Sequence, residues 1–335
     1  MDSTNRLLLD HLQRAFPLVS APYRKLAEKL GCGEREVLDR VRDLKGQGLV
    51  RQISAIFNTG GLGYRSSLVA MAVPEPELER AARVVNAYPG VSHNYLRPGQ
   101  FNMWFTIAVP PGAVLDRVVA RIAAAAGGHP ALVLPAVKKY KLAVVLDVLD
   151  DQDPDNGLES AELPQTEASV RFDPSPHNIR LVRCVQEDLA TSERPFQEWA
   201  EQLGMTEPEL LDLLRTWMDQ GLIRRFAAVL NHRQAGFRAN GMVVWHCPPE
   251  QIDQLGERLA AYPEVSHCYR RPVHPQWPYN LYAMIHGRHA DECRSVAERL
   301  NRAIGRDDYR ILFSTREFKK IRLKLFWDEP SGCCC

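Results

Sequence analysis

Apolar residues recur along this chain at two alternating periods, one helical and one strand-like. In TNRLLLDHLQRA, from residue 4, Leu7, Leu8 and Leu12 stand at helical spacing, and the next helix, PYRKLAEKL, runs into Gly31 and Gly33. In EREVLDRVRDLKGQG, Val37, Val41 and Leu44 keep the three-four step before Gly46 and Gly48 close the helix ahead of a short strand, LVRQISAIF. Three helices and a strand predict a winged helix-turn-helix. There follow a strand YRSSLVAMAV, a helix PELERAARVVNAY, strands VSHNYLR and NMWFTIAV, a helix AVLDRVVARIAAAA and a last β segment through LVLPAVKKYKLAVVLD. That βαββαβ order is the ferredoxin-like sandwich, whose helices cover one sheet face and leave the other to pair or to hold a ligand.

The pattern then recurs. IRLVRCVQEDLA, FQEWAEQLG, PELLDLLRTWMDQG and LIRRFAAVL fill the helix-turn-helix slots, and FRANGMVVWHC, EQIDQLGERLAAY, VSHCYRR, NLYAMIHG, ADECRSVAERLNRAI and YRILFST fill those of the sandwich. GLVRQISAIFNTGGLGYR from Gly48 matches GLIRRFAAVLNHRQAGFR from Gly221, and YPGVSHNYLRP from Tyr88 matches YPEVSHCYRRP from Tyr262. Matching blocks in the same order at nearly the same separation mark a duplication. Between the copies, Asp150 to Pro176 is rich in acids and prolines and poor in aliphatics, the composition of a tether. The reading is an α+β tandem duplication. It comprises a helix-turn-helix over 1–58, a ferredoxin-like domain over 59–149, a linker over 150–176, a second helix-turn-helix over 177–231, a second ferredoxin-like domain over 232–328 and a tail over 329–335. The two open sheet faces are expected to pair.

Composition narrows the classes. At 335 residues, 45% hydrophobic and net charge +1, the chain has ordinary cores and no global pull toward nucleic acid or an acidic membrane. No apolar run nears the roughly 20 residues of a membrane span, and MDSTNRLLLDHLQ lacks the order of a signal peptide, so a cytoplasmic location is expected. Cys32, Cys184, Cys247, Cys268 and Cys293 form no CxxC pair and read as reduced thiols. The run Cys333, Cys334, Cys335 is badly spaced to wrap a metal tetrahedrally.

The architecture, with a G-[LV]-[IV]-R pattern at the wing, resembles the Lrp/AsnC family of small-molecule-sensing regulators. Three readings follow: a DNA-binding regulator, a non-catalytic tetrapyrrole-binding protein, or an enzyme acting on a tetrapyrrole. Against the first, the recognition helix of copy two carries Glu207, Glu209, Asp212 and Asp219 against the single Arg215, a charge balance that repels phosphate, so no DNA partner is expected. The other two rest on the strands. His93, Tyr95 and Arg97 alternate along one strand and share a face, and His267, Tyr269 and Arg271 repeat them. The neighbouring strand brings Asn102 and Trp104, or Asn280 and Tyr282. An imidazole, flat aromatics and a guanidinium suit a planar anionic ligand with a metal at its centre, and a polar-aromatic face also suits two sandwiches that pair. Arg51, Arg224 and Arg225 near the wing, Arg65 and Arg238 at the first sandwich strand, and Arg270 with Arg271 are candidates to grip carboxylates. Lys138, Lys139, Lys141, Arg316, Lys319 and Lys320 read as solvated edge-strand charges. A segment present only in copy two, Arg270 to Gly287, carries Trp277 and Tyr279 and reads as a wall or lid with stacking surfaces.

The blocks SHNYLR and NMWFT, then SHCYRRP, WPYNLY, MIHGR and STREFKK, resemble the siroheme decarboxylase family in its form with two related subunits fused in one chain. The likeness spans the chain outside the linker and tail. It implies loss of the carboxyl groups of two acetate side chains of siroheme, giving didecarboxysiroheme on the heme d1 route, with no cofactor beyond the substrate's own iron. Set beside it, the chemistry needs a proton donor, for which His93, His267, Tyr95 and Tyr269 are the candidates. His93 or His267 is alternatively an axial ligand of the substrate iron. Arg51, Arg97, Arg224, Arg225, Arg238, Arg271, Trp277, Tyr279 and Asn280 are the candidate substrate contacts. Because the copies have diverged, one asymmetric site between the halves is expected, and the fused pair either closes on itself or pairs again as a homo-oligomer.

Overall fold

The computed structural model describes residues 2–14, 16–142, 168–230, 239–287 and 289–327. Copy one runs α1 (Ser3–Arg14), α2 (Pro22–Leu30), α3 (Glu34–Gly46), β1 (Val50–Phe57), β2 (Arg65–Met71), α4 (Leu78–Ala87), β3 (Val91–Leu96), β4 (Met103–Val109), α5 (Leu115–Ala126), β5 (Ala131–Leu134) and β6 (Lys138–Leu142). Copy two runs α6 (Pro176–Val185), α7 (Pro195–Leu203), α8 (Glu207–Asp219), β7 (Ile223–Leu230), β8 (Ala239–Trp245), α9 (Ile252–Ala260), β9 (Val265–Arg270), β10 (Leu281–Gly287), α10 (Ala290–Ile304), β11 (Tyr309–Phe313) and β12 (Arg316–Lys320). The duplicated α+β order is the one read from the sequence. Compactness, however, cuts across the repeat: residues 1–64, 145–234 and 324–335 form one unit, with both helix-turn-helix segments, and residues 65–144 and 235–323 form the other, with both sandwiches. No helix among the described residues is long and apolar enough to cross a membrane.

In the first unit, local chemistry sets the helix ends. Pro22 and Pro195 open α2 and α7, and Gly31 (φ 67°) and Gly204 (φ 69°) end them in the left-handed conformation. A capping box starts α8: the Thr206 hydroxyl accepts from the Glu209 N–H, and the Glu209 carboxylate accepts from the Thr206 N–H. Helix α1 buries Leu8, Leu9 and Leu12 while Leu7 is 47% exposed, so the stripe lies one residue over from the sequence reading; three consecutive leucines fit either face. The predicted wings are also corrected. β1 and β7 pair antiparallel with each other, Ile53 opposite Ala228, because each copy supplies one strand whose edge would otherwise lack a partner. Phe226 on β7 anchors this sheet between Phe16 and Phe196, with ring centroids 5.6 and 5.5 Å away.

In the second unit each sandwich shows the ferredoxin-like order β5-β2-β4-β3, or its copy-two counterpart β11-β8-β10-β9. Each sheet then gains a fifth strand from the other copy. β6 pairs with β9, and β12 pairs with β3, so the last β segment of each copy breaks in two and its second half crosses over. Pro135 makes the break in copy one, since it has no N–H for a continuing ladder. Helices α4 and α5 cover one face of the first sheet over Val69, Phe105 and Ile107, and α9 and α10 cover the second over Val243, Trp245 and Ile285. The uncovered faces meet as expected, through Ala70, Trp104 and Leu134 on one side and Val244, Trp277, Tyr282 and Leu312 on the other. Each such fully buried side chain contributes roughly 1.5–3 kcal/mol.

Candidate functional site

Strands β3 and β9 each carry a one-residue irregularity beside a serine, Ser92 or Ser266, which turns the following His and Tyr onto the open sheet face. His93 and Tyr95 have ring centroids 6.2 Å apart, and His267 and Tyr269 6.1 Å apart. Each histidine meets the preceding serine: His93 Nδ1 is 2.9 Å from Ser92 Oγ, and His267 Nδ1 is 3.0 Å from Ser266 Oγ. Arg97 and Arg271 lie over these tyrosines at 5.5 and 5.0 Å, so both triads are brought together.

Both arginines spend donors inside the protein, although Arg271 Nε is buried without a hydrogen-bond partner. Arg97 donates to the Leu312 carbonyl and, at 3.2 Å, to Asn240 Oδ1; Arg271 donates to the Leu134 carbonyl. Burial pushes the Arg97 pKa down to about 10 and lowers that of Arg271 as well. These guanidiniums tie each copy to the last sandwich strand of the other, and the carboxylate clamp expected of them draws no support from their contacts. Asn280 is similarly spent. Its Oδ1 accepts from the Cys247 N–H (2.9 Å) and its Nδ2 donates to the Cys247 carbonyl (2.8 Å), as Asn102 does with Val73 (2.9 and 2.8 Å).

The copy-two insertion, read as a wall or lid, folds inward between the sheets. Trp277 (3% exposed) and Tyr279 (5%) sit in the core between the sheets. Trp277 Nε1 donates to the Tyr282 hydroxyl (2.8 Å), its ring stands edge-on to Trp104 at 5.4 Å, and backbone bonds between His274 and Trp277 close the insertion on itself. An apolar surface of that size gains more from burial between sheets than from solvent exposure on a loop.

The edge-strand charges divide. Lys141 is buried and donates to the Tyr262 carbonyl (2.8 Å), and Lys319 donates to the Asn86 carbonyl (2.6 Å), with burial lowering its pKa; both anchor the crossed strands, against the expectation of solvated charges. Lys138 pairs with Asp253 and Glu257, Arg270 with Asp253, and Arg316 with Glu79. The crossed strands also set the surroundings of the histidines. Lys320 stands opposite His93 and Glu317 opposite Tyr95, whereas Lys139 stands opposite Tyr269.

Of the other arginines, Arg65 is exposed at the start of β2, Arg51 is exposed on β1, Arg224 is exposed on β7 and Arg225 is half-buried beside it, its pKa lowered by burial. Arg238 and Cys333 to Cys335 lie outside the described residues. The described cysteines are free thiols, and burial pushes Cys268 up to about 12 and Cys247 to about 11.

One residue escapes the sequence reading. His286 on β10 shares the open face with Met284 and Tyr282, and its Nε2 is 3.0 Å from Ser266 Oγ. In the register of copy one, where Thr106 faces His93 as Met284 faces His267, the position of His286 is held by Ala108. The signal was the strand alternation that places residues 282, 284 and 286 together.

Comparison with known proteins fits this duplicated geometry. The AsnC-like ligand binding domain matches residues 61–141 and 234–319, and the siroheme decarboxylase NirDL-like HTH domain matches residues 5–51 and 178–224. The chain is similar to a siroheme decarboxylase of Hydrogenobacter thermophilus, 39% identical over 96% of this chain and 95% of that protein. The crystal structure of the siroheme decarboxylase NirDL in co-complex with an iron-uroporphyrin III analogue superposes with TM-score 0.78 at 35% identity, covering 96% of this chain and 94% of that one. A siroheme decarboxylase beta subunit of Methanosarcina barkeri is 44% identical over 44% of this chain and 97% of its own length, the size of a single copy.

Proposed function

The chain belongs to the siroheme decarboxylase family, and we infer that it converts siroheme to didecarboxysiroheme by removing the carboxyl groups of two acetate side chains. The observation that carries this reading is the full-length likeness to decarboxylases that already contain the fused pair of copies, one of them seen with an iron-uroporphyrin III analogue. The same likeness favours the enzyme over a regulator or a passive carrier.

In each step the bond between the acetate methylene and its carboxylate breaks, carbon dioxide leaves, and the electron pair stays on the methylene carbon, where the conjugated macrocycle spreads it. A proton then forms the new C–H bond, so each turn consumes one proton and needs no oxidant or further cofactor. The iron belongs to the substrate. His267 or His93, with Tyr269 or Tyr95 about one ring away, are the donors we assign to that proton, and axial ligation of the substrate iron is the alternative role of His93 or His267.

Anaerobic titration of the protein with siroheme, followed by mass analysis of the product, tests the reading. A spectral change with loss of two carboxyl groups is expected. Binding without loss would make the protein a carrier, and absence of binding would return it to the regulators.

A further inference from the structure

Ser266 stands at the meeting point of three polar groups. Its Oγ lies 3.1 Å from the Met284 carbonyl oxygen, 3.0 Å from His267 Nδ1 and 3.0 Å from His286 Nε2. A carbonyl oxygen only accepts, so the single hydroxyl proton of Ser266 goes to Met284. The serine oxygen then has only lone pairs to offer, and both ring nitrogens must reach it as N–H donors. A neutral imidazole carries one N–H, which makes His267 the Nδ1–H tautomer with its lone pair on Nε2, and His286 the Nε2–H tautomer with its lone pair on Nδ1.

Copy one lacks this arrangement. Ser92 meets His93 Nδ1 at 2.9 Å, but Ala108 occupies the position of His286, so the three-way constraint is not assembled there. The Ser92 hydroxyl can donate to Nδ1 or accept from it, so this contact by itself does not set the tautomer of His93.

We propose that Ser266 and His286 are positioning residues that lock His267 in its Nδ1–H tautomer, so that copy two presents Nε2 as the nitrogen that loads and delivers the proton of decarboxylation. This rests on the reading of His267 as a residue of the siroheme site. The lock has a chemical use: protonation at Nε2 and its reversal leave the Nδ1–H bond to Ser266 intact, so the ring neither flips nor rotates between proton uptake and delivery. His286 contributes by filling the second lone pair of Ser266, which fixes the hydroxyl in the direction of Met284. A partner that orients a functional histidine from behind commonly accounts for a tenfold to hundredfold effect when removed.

The tautomer is read directly from long-range proton–nitrogen NMR correlations on the intact chain labelled with nitrogen-15 histidine, with His267→Gln used to assign the signal. The expected result is an Nδ1–H pattern for His267 in the unaltered protein, converted to a mixture by Ser266→Ala. Under anaerobic turnover, Ser266→Ala and His286→Ala should lower kcat about tenfold with little change in KM. His286→Gln, whose amide still donates to Ser266, should restore most of both the tautomer signal and kcat. An Nε2–H pattern in the unaltered protein, or full kcat in Ser266→Ala, would overturn the proposal. The underlying site reading fails in a different way: His267→Ala would keep siroheme binding and turnover while the Nδ1–H pattern stood, and the contact would then be structural only.

Discussion

At the scale of single residues, the two His-Tyr pairs have the same geometry and different neighbours. Opposite Tyr95 the crossed strand brings Glu317, while opposite Tyr269 it brings Lys139. Lys320 opposite His93 offsets the Glu317 charge, so a substrate bearing many carboxylates is drawn more strongly to the copy-two pair, where the residue opposite Lys139 is Tyr269 and not an acid. Copy two alone also has His286. His267→Ala should therefore lose turnover by about a hundredfold, the usual worth of a positioned proton donor, and His93→Ala by much less, when both are assayed with siroheme under anaerobic conditions. Equal losses would mean two equivalent sites. Arg97 and Arg271 lead to the opposite kind of outcome. Removing either guanidinium orphans a buried carbonyl, so Arg97→Ala and Arg271→Ala should cost about 1–3 kcal/mol of stability, seen as a lowered Tm. Siroheme affinity in the fraction that folds should change little. Strand alternation in the sequence was enough to group His, Tyr and Arg. It gave no hint that the arginines donate inside the protein, because their acceptors, Leu312 and Leu134, come from the other copy more than a hundred residues away.

At the scale of elements, α9 and the crossed strand β6 fit at one glycine. A Cβ on Gly256 would meet the Tyr140 ring at 2.3 Å, and the Tyr140 hydroxyl donates to Asp253 on the same helix. In an open helix, glycine to alanine gains about 1 kcal/mol. Here overpacking costs about 1–3 kcal/mol and reverses the sign, so Gly256→Ala should lower Tm. A raised Tm would show that β6 does not seat against α9. Helix periods, their glycine stops and the βαββαβ order were legible because they depend on neighbours in sequence. The exchange of β6 and β12, and the pairing of β1 with β7, were not, since a strand's own pattern does not name the edge it joins. The recognition helices carry a separate expectation. On α3, Arg40 is held by Glu36 and Asp2, Arg42 by Asp39 and Lys45 by Asp188, leaving Arg35, while on α8 the lone Arg215 is held by Asp212. Cations already neutralised within the protein release few counterions from DNA, so a gel shift at moderate salt should show weak binding indifferent to sequence. Tight, selective binding would contradict this.

At the scale of the whole molecule, the repeat and the compact units divide the chain in different ways, and that mismatch makes the two copies interdependent. Copy one alone would leave β3 without β12, and copy two alone would leave β9 without β6, each an exposed sheet edge. Each would also bare the face that buries Trp104 or Trp277, at roughly 1.5–3 kcal/mol per large side chain. The paired sandwiches are thus the smallest arrangement in which both sheets are complete, and the covalent link supplies effective concentration. A chain cut between residues 150 and 167 and co-expressed as two pieces should therefore assemble as a one-to-one complex, with decarboxylase activity within a few-fold of the uncut protein. Each piece expressed alone should aggregate or pair with itself, since a copy meeting its own twin can still exchange strands. Size-exclusion chromatography with native mass measurement distinguishes these species. Stable monomeric halves would show that the crossed strands and the shared core are dispensable, and self-paired halves with full activity would show that the divergence around His93 and His267 is without consequence for the reaction.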